Sequence, residues 1–97
     1  MNDLMEQYNS VILLHPQNTN ANYRLGTIYY EKKDFVSAIK SFEKNVNLLP
    51  QNYNSLLMLA WAKYFNGNTA DAKLFFSRVL MLYPTDKSAL EGIGMIK

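Results

Sequence analysis

Ninety-seven residues, 48% of them hydrophobic and 13% aromatic, carry enough apolar surface for one compact domain or a short repeat array, which excludes an intrinsically disordered chain. Ten Lys and Arg against eight Asp and Glu leave a formal charge of +2, and the longest basic run is Lys32-Lys33, so neither nucleic acid nor an anionic membrane surface is expected as a partner. The absence of cysteine removes disulfides, thiolate metal sites and cysteine nucleophiles, and the lone His15 forms no metal cluster, so no cofactor is expected and a reducing, cytoplasmic setting is the default expectation.

The longest unbroken apolar run, Leu56 to Ala62, is too short to cross a bilayer, and polar Asn2 and Asp3 follow Met1 without the pattern of a signal peptide. In chain order, a first helix is predicted from about Asp3 to Leu14, with Leu4, Tyr8, Val11 and Ile12 on one face. Pro16 closes it, because proline donates no backbone hydrogen bond and biases the preceding residue out of the helical region. Asn18 is placed to cap a second helix whose apolar face is Asn22, Leu25, Gly26 and Tyr29, at i, i+3, i+4 and i+7. The break Lys33-Asp34 precedes a third helix with Phe35, Ala38, Ile39 and Phe42 on one face, closed by Pro50. Asn52 then caps a fourth helix, Asn66-Gly67-Asn68 breaks it, and a fifth runs through Ala72 and Phe76 to Pro84. Asp86 is the candidate cap of a last helix from Lys87 onward.

The elements repeat. Pro16, Pro50 and Pro84 are 34 residues apart, and in the same register stand Leu4, Ala38 and Ala72, then Tyr8, Phe42 and Phe76. Leu25-Gly26, Leu59-Ala60 and Ile93-Gly94 repeat a large aliphatic followed by a small residue. Gly26, Ala60 and Gly94 are expected to let the first helix of a pair approach the second, with Ala38 and Ala72 reciprocating and Phe42 and Phe76 filling the space beside them.

Asn22-x2-Leu25-Gly26-x2-Tyr29, Ala38-x3-Phe42 and Pro50 closely resemble the tetratricopeptide repeat, W-x2-L-G-x2-Y, A-x3-F, P, with Asn22 in place of tryptophan. The next unit, Leu56-x2-Leu59-Ala60-x2-Lys63, Ala72-x3-Phe76 and Pro84, departs at Lys63, whose stem is expected to pack while its ammonium reaches water. The resemblance implies an all-α, right-handed superhelix of antiparallel helix pairs, an α-solenoid of about six helices. Residues 1–18 would be the second helix of a partial repeat plus a turn, 19–52 and 53–86 full repeats, and 87–97 the first helix of another.

The family typically binds peptides or proteins on the concave face lined by first helices, so the resemblance implies a non-enzymatic interaction scaffold. Residues there that the repeat pattern leaves free give the candidate site Tyr23, Thr27, Tyr30, Leu57, Trp61, Tyr64, Glu91 and Met95, with Arg24 and Lys63 nearby for orientation. Trp61, the only tryptophan, is either a binding anchor or a packing residue against the neighbouring first helix. Family members that hold the acidic tail of heat-shock chaperones use a clamp of Lys and Asn, then Asn, then Lys and Arg. Tyr23, Thr27, Met58, Ser88 and Gly92 occupy those registers here, which argues against a chaperone tail as partner. No catalytic triad is placed around His15, and the carboxylates fall on turns or solvent faces.

The pattern opens and closes inside a repeat. Two expectations follow: a segment of a longer protein, even the recognition arm of a larger enzyme, or a self-assembling module whose terminal helices dock head-to-tail into a homo-oligomer.

Overall fold

The computed structural model describes residues 2–96. Its helices are α1 (Asn2–Leu14), α2 (Thr19–Glu31), α3 (Phe35–Leu48), α4 (Tyr53–Phe65), α5 (Thr69–Leu82) and α6 (Lys87–Met95). The last is shorter than the sequence pattern suggests: Ile96 is already extended (φ −90°, ψ 125°), and Lys97 lies outside the described residues. Packing follows chain order. α2 pairs with α3 and α4 with α5, α3 and α4 join the pairs, and α1 and α6 flank them on α2 and α5. Contact between sequence neighbours is the signature of a solenoid, in which each unit buries the apolar face of the next.

The turns are built by the residues that repeat. The side chains of Asn18, Asn52 and Asp86 accept hydrogen bonds from the backbone N–H of Ala21 (3.0 Å), Ser55 (2.9 Å) and Ala89 (2.9 Å), satisfying donors that a helix N-terminus leaves open. Asp34 does the same for Ser37, at 3.2 Å. Asn68 does not cap α5 as expected; its Oδ1 instead accepts from the Asn66 side chain at 2.9 Å, which leaves the cap unmade. Gly67 takes the left-handed conformation (φ 89°), and Lys33, one repeat earlier, is held in the same region (φ 64°) despite its side chain.

The core is the stripe of repeated apolar positions. Ala38, Phe42, Leu59, Ala60, Ala72 and Phe76 have no exposed surface, and each large side chain contributes roughly 1.5–3 kcal/mol by leaving water. A Cβ on Gly26 would lie 2.8 Å from the Phe42 ring, so glycine sets the closeness of α2 and α3. At the third register Gly94 is expected to keep a slot open for the second helix of its own unit, and it does so; the close approach to the preceding pair is made by another glycine. It is Gly92, two residues before Gly94, that lies under an aromatic ring: a Cβ there would overlap Phe76 of α5, whereas a Cβ on Gly94 would meet open space. Asn22, which stands where the repeat pattern has tryptophan, is buried and donates from Nδ2 to the carbonyls of Asn18 (2.9 Å) and Pro16 (3.2 Å), tying α2 to its preceding turn.

Tyr53, at the start of α4, donates its hydroxyl hydrogen to Asp86 Oδ1 at 2.6 Å, while Oδ2 of the same carboxylate caps α6. This hydrogen bond first, then burial and the neighbouring charge of Asp86, hold the Tyr53 pKa above its ordinary 10.0. A raised folded-state value means that the contribution to stability is complete below pH 10.0 and is lost as pH rises through the folded value. Burial raises Tyr30 in the same sense, so some alkaline sensitivity will remain without Tyr53. Tyr53→Phe is therefore expected to flatten, but not abolish, the fall in urea midpoint between about pH 8 and about pH 11. An unchanged alkaline slope would show that the bond to Asp86 does not persist in solution.

Candidate functional site

One face of the molecule is formed by α2, α4 and α6, joined where Trp61 Nε1 of α4 donates to Ser88 Oγ of α6 at 2.9 Å. Among the candidate residues, Tyr23, Tyr30, Leu57, Trp61 and Tyr64 are half-buried and pack against the core. They are thus not free of the fold, as the repeat pattern suggests. Tyr23 meets Phe42 with ring centroids 5.7 Å apart. The half-buried Thr27 donates its hydroxyl hydrogen to the Tyr23 carbonyl at 3.0 Å. Glu91 and Met95 are exposed on α6, and among the described residues no hydrogen bond or ion pair joins Glu91 to the face.

Trp61 packs against the neighbouring first helix, one of the two expectations for it, without being wholly covered. Its ring meets Phe76 edge-on at 4.9 Å and its indole N–H is bonded, yet part of the ring surface remains accessible. Around it, the last turns of α2 and α4 and the first turn of α3 form an aromatic cluster. Phe65 stacks on Trp61 (5.8 Å, 25°) and on Phe35 (5.5 Å, 23°), and Tyr30 meets Phe35 edge-on at 5.4 Å. Phe65 is 51% exposed, so it offers a ring to solvent while neighbouring rings hold it. The repeat pattern alone does not single it out, although a signal exists: in register with Phe65 the preceding repeat has Glu31, a residue for open solvent.

The opposite end of the face is polar. Between the first turns of α2 and α4 lies a cleft of about 240 Å³, walled by Thr19, Asn20, Tyr23, Asn45, Asn54 and Ser55 among others, with no charged side chain in its lining. Asn45 of α3 is 2% exposed; its Nδ2 donates to the Thr19 carbonyl at 3.0 Å, and its Oδ1 has no hydrogen-bond partner.

Lys63 packs its stem, its side chain being 12% exposed overall, while its ammonium reaches the surface, as expected. There it lies 3.2 Å from Glu43 of α3 and 3.4 Å from Asp71 of α5, so it is engaged with these exposed carboxylates rather than left to orient a ligand in the groove. At the registers of the acidic-tail clamp, Met58 is half-buried and packs on the core, and Gly92 lies under Phe76 without room for a side chain. Among the described residues no group of three or more metal-ligating side chains comes together, and no helix is long and apolar enough to cross a membrane.

Comparison with solved structures supports the architecture. The chain is similar to the first tetratricopeptide domain of Spaghetti (RPAP3), solved with the HSP90 peptide SRMEEVD, at TM-score 0.88 and 21% identity over 95% of this chain and 73% of that one. It is likewise similar to the second such domain of human RPAP3, solved with the HSP70 peptide SGPTIEEVD, at TM-score 0.87 and 23% identity over 95% and 77%. No curated protein matches the sequence significantly. Family models described as tetratricopeptide repeat match residues 19–52 and 54–86, which are the two central helix pairs. With more than half of its length matched in this way and the same helix-pair architecture in its structural neighbours, the chain belongs to the tetratricopeptide-repeat family.

Proposed function

We propose that the face of α2, α4 and α6 is a non-catalytic docking groove for a protein segment carrying an aromatic or large apolar anchor. The observation that carries this reading is the ring cluster at one end, where Phe65 is 51% exposed yet held by Trp61 and Phe35. A rigid, half-exposed aromatic loses little freedom on binding and gains when a partner excludes water from it. The peptides bound by the two RPAP3 domains end in acidic sequences. Here the corresponding clamp registers hold Tyr23, Thr27, Met58, Ser88 and Gly92, so an apolar anchor is a better chemical match than a pair of carboxylates.

Trp61 supplies the readout, since it is the only tryptophan and lies in the cluster. Titration with blocked peptides bearing a central Phe or Leu is expected to change its emission saturably, while SRMEEVD is expected to bind at least about tenfold more weakly, or about 1.4 kcal/mol. Phe65→Ala removes an exposed ring and is expected to weaken the apolar peptides by a similar factor. Equal binding by wild type and Phe65→Ala, or preference for the acidic peptide, would reject the reading. A second reading, contact between copies, is supported by the exposed Leu90 and the open space at Gly94 on α6. It requires concentration-dependent sedimentation that Leu90→Lys suppresses.

A further inference from the structure

We propose that Ser88 sets the class of anchor that Trp61 accepts. By taking the indole N–H it fixes the ring in one orientation and removes the only donor the ring possesses, so the groove admits an apolar anchor and disfavours one that needs a hydrogen bond there. This rests on the docking-groove reading and adds to it a positioning residue.

Indole carries a single polar group, and it can only donate. With a free N–H on a half-buried ring, a segment bringing a carboxamide oxygen would gain a hydrogen bond that an aliphatic side chain cannot make. Trp61 Nε1 instead donates to Ser88 Oγ at 2.9 Å, an ordinary N–H···O distance. An acceptor on the partner would have to displace Ser88, exchanging one hydrogen bond for another, whereas an apolar anchor leaves the bond in place. The bond also orients the ring. Phe76 meets it edge-on at 4.9 Å and Phe65 stacks on it at 5.8 Å, contacts that favour a ring in this place without deciding which way its N–H turns about the broad χ2 torsion. Ser88 makes that choice.

Ser88 is itself held firmly. It lies in the first turn of α6, between the cap Asp86, whose Oδ2 accepts from the Ala89 N–H at 2.9 Å, and the fully buried Ala89. One turn on, Gly92 lies under Phe76, so the helix that carries Ser88 packs on the same ring that borders Trp61. The arrangement is not a property of the repeat. One repeat earlier the registers of Trp61 and Ser88 hold Thr27 and Asn54, and Thr27 gives its hydroxyl hydrogen to the Tyr23 carbonyl of its own helix at 3.0 Å. Among the described residues that earlier pair makes no bond across the helices, so the link falls at the one tryptophan, beside the ring cluster. The acidic-tail clamp has lysine at the register of Ser88; here that register serves Trp61, in keeping with an apolar rather than an acidic anchor.

The test compares the full chain with its Ser88→Ala and Ser88→Thr variants, using blocked peptides that differ only at the anchor, leucine or the similarly shaped asparagine. Wild type is expected to favour leucine by at least about tenfold. In Ser88→Ala the ring turns more freely and its N–H is open to the peptide, so leucine is expected to bind about threefold to tenfold more weakly while asparagine holds or improves. Ser88→Thr keeps the hydroxyl and is expected to retain the wild-type preference. Alanine is a good helix former, so the first variant is expected to fold. The indole N–H resonance gives a readout without peptide: slow hydrogen exchange in wild type and Ser88→Thr, faster exchange in Ser88→Ala. An equal loss for both peptides in Ser88→Ala would show a bond that is merely structural, and an indole N–H still protected in that variant would show that another group holds the ring; either result overturns the proposal. Failure of wild type to bind either peptide rejects the docking-groove reading and this proposal together, whereas binding with an unaltered preference in Ser88→Ala rejects this proposal alone.

Discussion

Phe76→Ala is expected to lower the unfolding free energy by about 3–5 kcal/mol, the range for removing a fully buried phenylalanine. Phe76 has no exposed surface, meets the Trp61 ring at 4.9 Å, and lies where the backbone of α6 comes closest at Gly92. Its removal therefore opens a space bordered by α4, α5 and α6 together. Glycine at position 92 has no side chain with which to refill it, and the caps at Asn52 and Asp86 fix the helix starts on either side, so relaxation is limited. A domain of this size is stable by about 5–15 kcal/mol, so this one substitution removes a large share. Chemical denaturation should show the loss, and Trp61 emission should shift toward that of an exposed indole before helicity is fully lost. A decrease below about 1 kcal/mol would mean that α6 collapses onto the space, contrary to the packing described.

The helix pairs are legible in the sequence because the features that set them are local. Pro50, Asn52 and Gly67 act on their own backbone, through a missing donor, a side-chain cap and a positive φ, and such effects need no neighbour. The face is less legible because its character depends on how one helix is rotated against the next. Lys63 reads as a residue with a packed stem and a surface ammonium, but the sequence does not show that α3 and α5 bring Glu43 and Asp71 to it. Phe65 reads as the end of a helix until Phe35 and Trp61 stack on it, and only comparison with Glu31 one repeat earlier marks it as unusual. Asn45 is similar. Its register partners Val11 and Val79 identify it as the departure from a buried apolar position, but the unpaired Oδ1 emerges only when the Thr19 carbonyl claims its amide nitrogen. Positions that repeat thus report the scaffold, and positions that break the repeat become interpretable only when their neighbours are in place.

The two glycines of α6 give the sharpest separation between repeat register and actual packing. Register pairs Gly94 with Gly26 and Ala60 as the slot for the second helix of its own unit, which stands open, whereas the close contact with the preceding helix α5 falls on Gly92. Gly92→Leu is expected to destabilise the protein by about 2–3 kcal/mol, because the added carbons overlap a Phe76 ring that is enclosed on all sides and cannot move aside. Gly94→Leu meets open space and replaces a residue of low helix propensity, so it is expected to be neutral or to stabilise α6 by up to about 0.5–1 kcal/mol. The two variants share the same change in composition and lie two residues apart on a nine-residue helix, so differences in the unfolded chain largely cancel. Hydrogen exchange should localise the effect: in Gly92→Leu the amides of α6 lose protection while those of α3 keep it, since α6 packs on α5 and α4 rather than on α3. Loss of protection in Gly94→Leu instead would place the close approach at the repeat-register glycine and would require α6 to be rotated by about 200° from the orientation described, two residues at about 100° each. That rotation would also carry Ser88 away from Trp61 Nε1, so the tryptophan emission of the same two variants provides an independent measure of which orientation holds.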